Sequence, residues 1–230
     1  MAVLNSSNEI ITAIFLQNYV TLHEISKLLM KILLIDNYDS FVYNIVGLLQ
    51  KCRLTFPDLE FDVIRNDRIT LSDTARYDAI ILSPGPGIPS EAGLLTEVID
   101  HCKTTHPILG ICLGCQAIAE QFGCLLRLLE KPRHGHCSTL CNVDEADPIV
   151  GFCNNEVAKV GRYHSWVIDD KSIPTDTPLV ITSRDEDGNI MSVRHSTLPI
   201  FGLQFHPESI ISNCGLRMLQ NFLSIKTGVN

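Results

Sequence analysis

The sequence predicts an α/β fold built on a mostly parallel sheet with helices on both faces. Short, continuous apolar runs recur from Lys31 onward, and stretches with helical periodicity separate them. Continuous apolar strands alternating with helices are typical of a parallel sheet that is covered on both sides. After about Leu125 the apolar runs become shorter and more polar. This change predicts a smaller antiparallel or mixed section in the second half of the chain.

The predicted elements alternate along the chain. The early strands are predicted at Ile32–Ile35, Phe61–Ile64, Ala79–Leu82 and Pro107–Ile111, and the early helices at Ser40–Gln50, Ala92–Cys102 and Gln116–Phe122. Later strands are predicted at Leu179–Thr182, Ile190–Val193 and Ile200–Gln204, before a closing helix at Leu216–Ile225. Functional loops of such sheets collect at the carboxyl ends of the strands. Asp36, Gly85 and Cys112 lie just past such ends, so we expect them to share one crevice.

Length and composition favour one large domain and exclude some partners. The chain has 230 residues, of which 45% are hydrophobic, enough for a full core. A formal net charge of −8, with 18 Lys and Arg residues in no cluster, argues against nucleic acid or a membrane as partner. The nine cysteines lie in apolar and helix-like segments rather than in regularly spaced loops. This distribution predicts free thiols and a soluble cytoplasmic protein.

The first 29 residues are predicted to be a poorly packed extension. Ile10–Leu16 is apolar, but Glu9 adjoins it and no basic segment precedes it. The run is therefore a poor signal peptide and too short to span a bilayer. Because Met30-Lys31 opens directly onto a strand pattern, our hypothesis is that translation from an upstream start codon adds the extension. The main domain is then expected at residues 31–228.

Gly110-Ile-Cys-Leu-Gly114 supplies a candidate nucleophile. Cys112 falls between a predicted strand and a predicted helix, in the small-x-nucleophile-x-small pattern of a nucleophile elbow, with sulfur in place of the hydroxyl. The N-terminus of a helix offers the positive end of its dipole and free backbone N–H groups, which stabilise a thiolate. Glycine on both sides permits the sharp turn. Taken alone, however, a cysteine in an apolar segment is more commonly a small core residue.

Gln204-Phe-His-Pro-Glu-Ser209 supplies a candidate base near the other end of the chain. His206 and Glu208 are separated by one residue, so an extended backbone would place both side chains on one face. Glu208 would then accept a hydrogen bond from one imidazole nitrogen, and the other nitrogen would face Cys112. The two motifs together predict a thiol triad of Cys112, His206 and Glu208.

Redox and metal-binding interpretations of the same region stay open. Cys112-Leu-Gly-Cys115 at a helix start also fits a redox pair, and His134-Gly-His-Cys137 with Cys141 adds soft and imidazole ligands for a zinc site. Neither interpretation explains His206-Pro-Glu208 or the Ser83-Pro-Gly-Pro-Gly87 loop. That loop is, by itself, an ordinary proline-glycine turn. A phosphate-binding loop is disfavoured, because no Gly-Lys-Ser/Thr follows.

Several motifs, in this order, resemble the triad-type (class I) glutamine amidotransferases. They are Asp36-Asn-Tyr-Asp-Ser-Phe41, Ser83-Pro-Gly-Pro-Gly87, Gly110-Ile-Cys-Leu-Gly114, His134-Gly135, Arg162-Tyr-His-Ser165 and Gln204-Phe-His-Pro-Glu-Ser209. The resemblance covers the chain from about Lys31 to its C-terminus. It is closest to the small glutaminase subunit (component II) of anthranilate synthase and of aminodeoxychorismate synthase. It implies the flavodoxin-like fold of that family.

The resemblance also implies an activity and site residues. Cys112 attacks the side-chain amide of L-glutamine, His206 carries the proton to departing ammonia, and Glu208 orients His206. Water then hydrolyses the γ-glutamyl thioester to glutamate. Positions that match the family's substrate site are Gly85, Pro86, Gly87, Leu113, Gln116, Ser165 and Trp166. The oxyanion donors are expected to be the N–H of Leu113 and that of a glycine beside Pro86, because proline has no N–H.

Two positions depart from the family pattern. Cys115 stands where the family usually has His or Met, and Trp166 stands where Leu is common. The substitution at Cys115 creates the C-x-x-C spacing that the redox interpretation uses. The larger side chain of Trp166 is expected to tighten the pocket or to face a partner.

A partner is implied because no second substrate domain remains in the sequence for an ammonia acceptor. The expected partner is a chorismate-binding synthase subunit (component I) that receives ammonia through a dry route, in a heterodimer or heterotetramer. That subunit is expected to hold Mg²⁺, and this chain is expected to need no cofactor. Tyr38–Ser40 and Cys137–Leu140 are candidate contact segments or ordinary surface. Whether the product is anthranilate, aminodeoxychorismate or both stays open. The alternatives are a free-standing thiol hydrolase of γ-glutamyl substrates and a non-catalytic regulatory homologue.

Overall fold

The computed structural model describes residues 30–225. Its strands are β1 (Met30–Asp36), β2 (Leu59–Arg65), β3 (Ala79–Leu82), β4 (Ile108–Ile111), β5 (Leu126–Thr139), β6 (Lys159–Ile168), β7 (Leu179–Arg184), β8 (Ile190–His195) and β9 (Ile200–Leu203). Its α-helices are α1 (Val42–Cys52), α2 (Leu95–Cys102), α3 (Leu113–Gln121) and α4 (Gly215–Leu223). The extension predicted at residues 1–29 lies outside the described residues, as do residues 226–228 of the predicted domain.

The main sheet is mostly parallel, which confirms the predicted fold class. It has seven strands in the order β2-β1-β3-β4-β9-β8-β7. The first five of these run parallel, and β8 and β7 add an antiparallel edge. All residues of β3 and β4 are buried. Burial on both faces explains why these strands are continuous apolar runs in the sequence.

Helices cover both faces of this sheet. Alternate side chains of a strand point to opposite faces, so Ile32 and Leu34 pack with α1 and α4, whereas Leu33 and Ile35 pack with α2 and α3. The helix predicted from Ala92 begins only at Leu95, because Gly93 has a φ of 58° that an α-helix does not permit. Within residues 30–225, no helix is long and apolar enough to cross a membrane.

The section after Leu125 is mostly antiparallel, as predicted, but it includes a pair of strands that was not predicted. It contains β5, which has 14 residues and is the longest of the described strands. β5 pairs antiparallel with β6 in a separate two-stranded sheet. Most of β5 is exposed, so its sequence lacks the apolar alternation by which a strand is recognised. The antiparallel pairing predicted for β7 and β8 is confirmed.

The cysteines are free thiols, as predicted. All nine are unpaired, and six of them are buried. Most therefore serve as small apolar core residues.

Candidate active site

The predicted site residues collect at the carboxyl edge of the parallel strands. The Gly85 loop follows β3, Cys112 follows β4, and Gln204 follows β9. Because these strands are parallel neighbours, their carboxyl ends meet at one edge of the sheet. The predicted crevice includes Gly85 and Cys112 but not Asp36, which is absent from its lining. The Asp36 carboxylate instead accepts a hydrogen bond from the Tyr38 N–H at 2.7 Å.

Cys112 occupies a strained turn between β4 and α3. Its φ of 52° and ψ of −101° are rare for any residue other than glycine. Its N–H donates to the Leu203 carbonyl on β9 at 2.7 Å. A β carbon on Gly110 would lie 2.4 Å from the Gly114 carbonyl, and one on Gly114 would lie 2.5 Å from the Leu82 carbonyl oxygen. The chain therefore needs both glycines to form this nucleophile elbow.

His206 and Glu208 form a buried hydrogen-bonded pair. Nδ1 of His206 donates to Oε1 of Glu208 at 2.7 Å. The stretch is not extended, because the Ser209 N–H donates to the His206 carbonyl at 3.1 Å and closes a turn with Pro207 at its second position. Residues two apart on a strand stand roughly 7 Å from each other. The turn is what brings the two side chains within hydrogen-bond distance.

Two aromatic rings hold the imidazole in place. The ring centroids of Phe41 and Tyr163 lie 5.5 Å and 5.0 Å from that of His206, both in edge-on arrangements. The backbone N–H of His206 also donates to the Gly161 carbonyl on β6 at 2.9 Å. His206 is 1% exposed, and its Nε2 makes no hydrogen bond of ordinary geometry with the described residues. One ring nitrogen is thus committed to Glu208, and the other is available to a reacting group.

The surroundings of His206 favour its protonated form. Burial by itself opposes a charge on the ring. The negative charge of the adjacent Cys112, supported by Glu208, outweighs burial and raises the pKa of His206 well above its ordinary value. The arrangement therefore provides a nucleophilic sulfur beside a proton donor.

A cavity of about 220 Å³ opens over Cys112. Its lining includes six of the predicted substrate-site residues: Gly85, Pro86, Gly87, Gln116, Ser165 and Trp166. The seventh, Leu113, has a buried side chain that does not line the cavity. The role predicted for Leu113 concerns only its backbone N–H. The structure adds His134, Tyr163 and His164, which the sequence analysis did not place in the substrate site. The volume lies below the usual range for drug-sized ligands and suits a small metabolite.

The Gly85 loop comes close to the elbow. A β carbon on Gly85 would lie 2.5 Å from the Leu113 side chain and 2.8 Å from the Asn37 carbonyl oxygen. Asn37 anchors the loop, since its N–H donates to Ser83 Oγ at 2.9 Å and its Nδ2 to the Ser83 carbonyl at 2.8 Å. Only glycine lets the loop backbone approach the elbow so closely, and such an approach is needed for a loop N–H to serve as an oxyanion donor.

A buried ion pair lies on the other side of the cavity wall. Arg162 and Asp185 form it, and both side chains are 0% exposed. Nε of Arg162 donates to Nε2 of His164 at 3.2 Å, and Nδ1 of His164 meets the Trp166 carbonyl at 3.0 Å. Because arginine can only donate and a carbonyl can only accept, the tautomer of His164 is determined. Arg162 and His164 are two residues apart on one strand face, a spacing that could have indicated this contact from the sequence.

We expect His164 to make the protein less stable in acid. Burial, together with the charges of Arg162 and His206, lowers the pKa of His164 to about 3. Between roughly pH 6.5 and pH 3 the unfolded chain binds a proton at this histidine that the folded chain does not. The free energy of unfolding therefore falls as the pH is lowered through this range, by up to about 1.4 kcal/mol per pH unit. The free energy of unfolding, measured with urea at several pH values between 7 and 5, should change less with pH for His164→Phe than for wild type. An equal change with pH in both proteins would contradict the prediction.

The residues of the zinc interpretation do not come together, and the two cysteines of the redox interpretation, Cys112 and Cys115, are free thiols. Cys115 is 0% exposed and packs with Ala119 and Val193, away from the cavity. Cys137 is exposed on β5. Across residues 30–225, no group of three or more His, Cys, Asp and Glu side chains is arranged to hold a metal ion. The geometry therefore favours the thiol triad over both alternatives.

The two predicted contact segments differ in exposure. Tyr38 is 51% exposed, whereas Ser138 and Leu140 are buried. The segment at Tyr38–Ser40 thus offers more free surface than the one at Cys137–Leu140.

Comparison with known proteins identifies the family. The sequence model of the family described as glutamine amidotransferase class-I matches residues 33–225. The chain belongs to the class-I glutamine amidotransferase family. The predicted resemblance and enzyme class are therefore confirmed, and the protein is a glutamine amidotransferase.

Curated relatives agree with this assignment. Anthranilate synthase component 2 of Mycobacterium tuberculosis is 41% identical over 200 residues, which are 85% of this amidotransferase and 82% of that protein. Aminodeoxychorismate/anthranilate synthase component 2 of Bacillus subtilis is 41% identical over 194 residues, 84% of this chain and 95% of that one. The bifunctional protein TrpGD of Thermotoga maritima is 40% identical over 200 residues, and this chain spans only 33% of its length.

A solved structure shares the fold. A protein from Thermoplasma acidophilum, described as part of a GMP synthase, superposes on the amidotransferase with a TM-score of 0.71 at 24% identity. The match covers 85% of this chain and 92% of that one. At this level of identity the comparison supports the fold alone.

Proposed function

We propose that this amidotransferase hydrolyses L-glutamine to glutamate and ammonia through a thioester on Cys112. One observation carries the proposal: Cys112 sits at a strained elbow on the wall of a small cavity and interacts with His206 of the buried His206–Glu208 pair. A nucleophile, a base and a group that orients the base are the parts that such catalysis needs. The match of the family model supports glutamine as the substrate.

In the first half-reaction, Sγ of Cys112 attacks the amide carbon of the glutamine side chain. A C–S bond forms, the C–N bond breaks, and the leaving nitrogen takes a proton from Nε2 of His206 to depart as ammonia. The raised pKa of His206 supports its role as the acid. Glu208 holds the Nδ1 proton, so only Nε2 exchanges protons during the reaction.

In the second half-reaction, His206 takes a proton from water, and the water oxygen attacks the thioester carbon. The C–S bond breaks, Cys112 leaves as thiolate, and glutamate departs, so that glutamine and water give glutamate and ammonia. We assign the developing oxyanion to the N–H of Leu113 and to an N–H of the Gly85-Pro-Gly87 loop. The close packing of Gly85 against Leu113 supports this pairing.

We assign glutamine binding to the remaining cavity residues. Gln116, Ser165 and Trp166 line the cavity beside Cys112. The Gln116 amide is itself held in place, since its Nε2 donates to the Trp166 carbonyl at 2.9 Å. A fixed amide orients a polar substrate at lower entropic cost than a mobile one does.

We further propose that ammonia passes to a chorismate-binding synthase subunit, in a heterodimer or heterotetramer in the cytoplasm. Two relatives are named component 2 of anthranilate synthase and of aminodeoxychorismate/anthranilate synthase, and such a name implies a component 1. Tyr38, 51% exposed, and Ile210, fully exposed two residues after Glu208, offer apolar surface that a partner could cover. In this proposal the partner holds Mg²⁺, and this chain needs no cofactor.

A reconstitution assay tests this proposal and the pathway together. The protein is mixed separately with component 1 of anthranilate synthase and of aminodeoxychorismate synthase, with glutamine, chorismate and Mg²⁺. We expect glutamate release and an aminated product with at least one partner, and the productive partner assigns the pathway. Ammonium chloride in place of glutamine controls for the activity of each partner. A full glutaminase rate that no partner increases would instead support a free-standing thiol hydrolase.

A further inference from the structure

Gln204 is a buried amide at the end of β9 that has no role in the triad. Its side chain is 0% exposed. Its backbone N–H donates to the Met191 carbonyl at 2.8 Å, which holds the residue beside β8. Its Nε2 donates to Sγ of Cys112 at 3.8 Å. We propose that Gln204 is a further catalytic residue, whose amide N–H stabilises the Cys112 thiolate and directs the sulfur into the cavity.

The orientation of the Gln204 amide follows from its neighbours. Nε2 of Gln116 donates both to the Trp166 carbonyl, at 2.9 Å, and to Oε1 of Gln204, at 3.3 Å. Because a backbone carbonyl can only accept, the NH₂ group of Gln116, and not its oxygen, must face the Trp166 carbonyl, and the same NH₂ group then also faces Gln204. The oxygen of Gln204 must therefore face Gln116. Its NH₂ group is left to face the sulfur of Cys112.

The same series of hydrogen bonds continues to a permanent cation. The Trp166 carbonyl also accepts from Nδ1 of His164, whose Nε2 accepts from Nε of Arg162. Arg162 is held in turn by Asp185. Arginine only donates, so it determines the His164 tautomer, and the main-chain carbonyl determines the Gln116 amide. Each of these buried groups is thereby held in one orientation by its neighbour.

The placement of Gln204 suits a charged sulfur in a nearly closed site. Cys112 is only 5% exposed, so water can solvate its thiolate poorly. A donor aimed at the sulfur favours the charged form over the neutral thiol. Gln204 supplies a neutral donor that needs no proton transfer to act. The meaning of this contact for catalysis rests on the proposed function, but the contact itself does not.

The pH dependence of Cys112 alkylation by iodoacetamide tests the role of Gln204. Gln204→Leu removes the amide at similar volume, and peptide mapping follows Cys112 separately from the other cysteines. We expect the midpoint of the alkylation profile to rise by about one pH unit. We also expect kcat for glutamine hydrolysis to fall by about tenfold or more, with a smaller change in KM.

Further variants keep the test decisive. Gln204→Met removes the donor with a more adaptable side chain, in case Gln204→Leu does not fold, and thermal melting checks both. Gln116→Leu should shift the midpoint in the same direction by less, because it frees the Gln204 amide to rotate. Gln121→Leu is the matched control, since Gln121 also lies on α3 but donates to Asp100, outside the cavity. Its profile should match wild type.

One result would overturn the inference: an alkylation profile in folded Gln204→Leu and Gln204→Met that superimposes on that of wild type. A lower kcat alongside that unchanged profile would indicate a merely structural residue. Because alkylation requires no glutamine, the profile still decides the role of Gln204 if wild type hydrolyses no glutamine. That last result would contradict only the proposed function.

Discussion

Cys112→Ala should lose glutaminase activity by roughly 10⁴-fold or more, whereas Cys115→Ala should keep it. Cys112 lies on the cavity wall and interacts with His206, and no other residue lining that cavity is a cysteine. Cys115 is separated from Cys112 by less than one helical turn, but its side chain is fully buried among apolar groups. Removal of the nucleophile prevents thioester formation, and removal of a core thiol leaves the chemistry intact.

The measurement is intact mass and peptide mapping after treatment with a glutamine-mimicking diazo-ketone. One adduct is expected on Cys112 in wild type and in Cys115→Ala, and none in Cys112→Ala. Cys115→Ala is the matched control, because it removes the neighbouring thiol on α3, the helix that begins directly after Cys112. Glutamate release should follow the same pattern. Absence of an adduct in wild type, even with a component 1 protein present, would show that the triad is not assembled for glutamine.

Asp185→Leu should lower the free energy of unfolding by about 3–5 kcal/mol. The substitution leaves the Arg162 guanidinium buried without its counter-ion, at a site where both side chains are 0% exposed. It also removes the acceptor of two hydrogen bonds from Asn189, at 2.7 Å from its N–H and 2.9 Å from its Nδ2. Since a typical domain has about 5–15 kcal/mol of stability, we expect a large drop in the urea midpoint.

A double substitution separates the buried charge from the lost packing. Arg162→Met with Asp185→Leu removes both charges and should recover much of the stability lost in Asp185→Leu alone. The matched control is Glu156→Leu, which breaks the exposed ion pair with Arg217, where the side chains are 44% and 57% exposed. That change should cost at most about 1 kcal/mol. A similar, small loss at both sites would show that the buried pair contributes no more than a surface one.

Much of the parallel sheet could be predicted from the sequence, because its strands are buried on both faces. The structure places β3 at Ala79–Leu82, with the predicted bounds, and all of its residues are buried. β5 could not be predicted, since most of its 14 residues are exposed and its stability comes from pairing with β6. Its partner strand begins twenty residues after β5 ends, and no local pattern specifies that pairing.

The candidate active site, too, could be predicted from the sequence only in part. Cys112 could be singled out because the glycines on either side encode its turn locally, and both are needed for close backbone packing. His206 and Glu208 could be singled out by residue type and spacing. The conformation that joins them could not, because it is a turn stabilised by a bond from Ser209 rather than an extended segment.

Local periodicity, glycine placement and short motifs are enough to specify the parallel α/β class, the family and the residue types of the triad. The pairing of β4 with β9, which brings Cys112 to His206, is visible only in the folded chain. The same holds for the direction in which the Gln204 amide faces and for the buried carboxylate that meets Arg162. Such contacts join residues far apart in the chain, and the direction of each hydrogen bond depends on what the neighbouring groups can accept or donate.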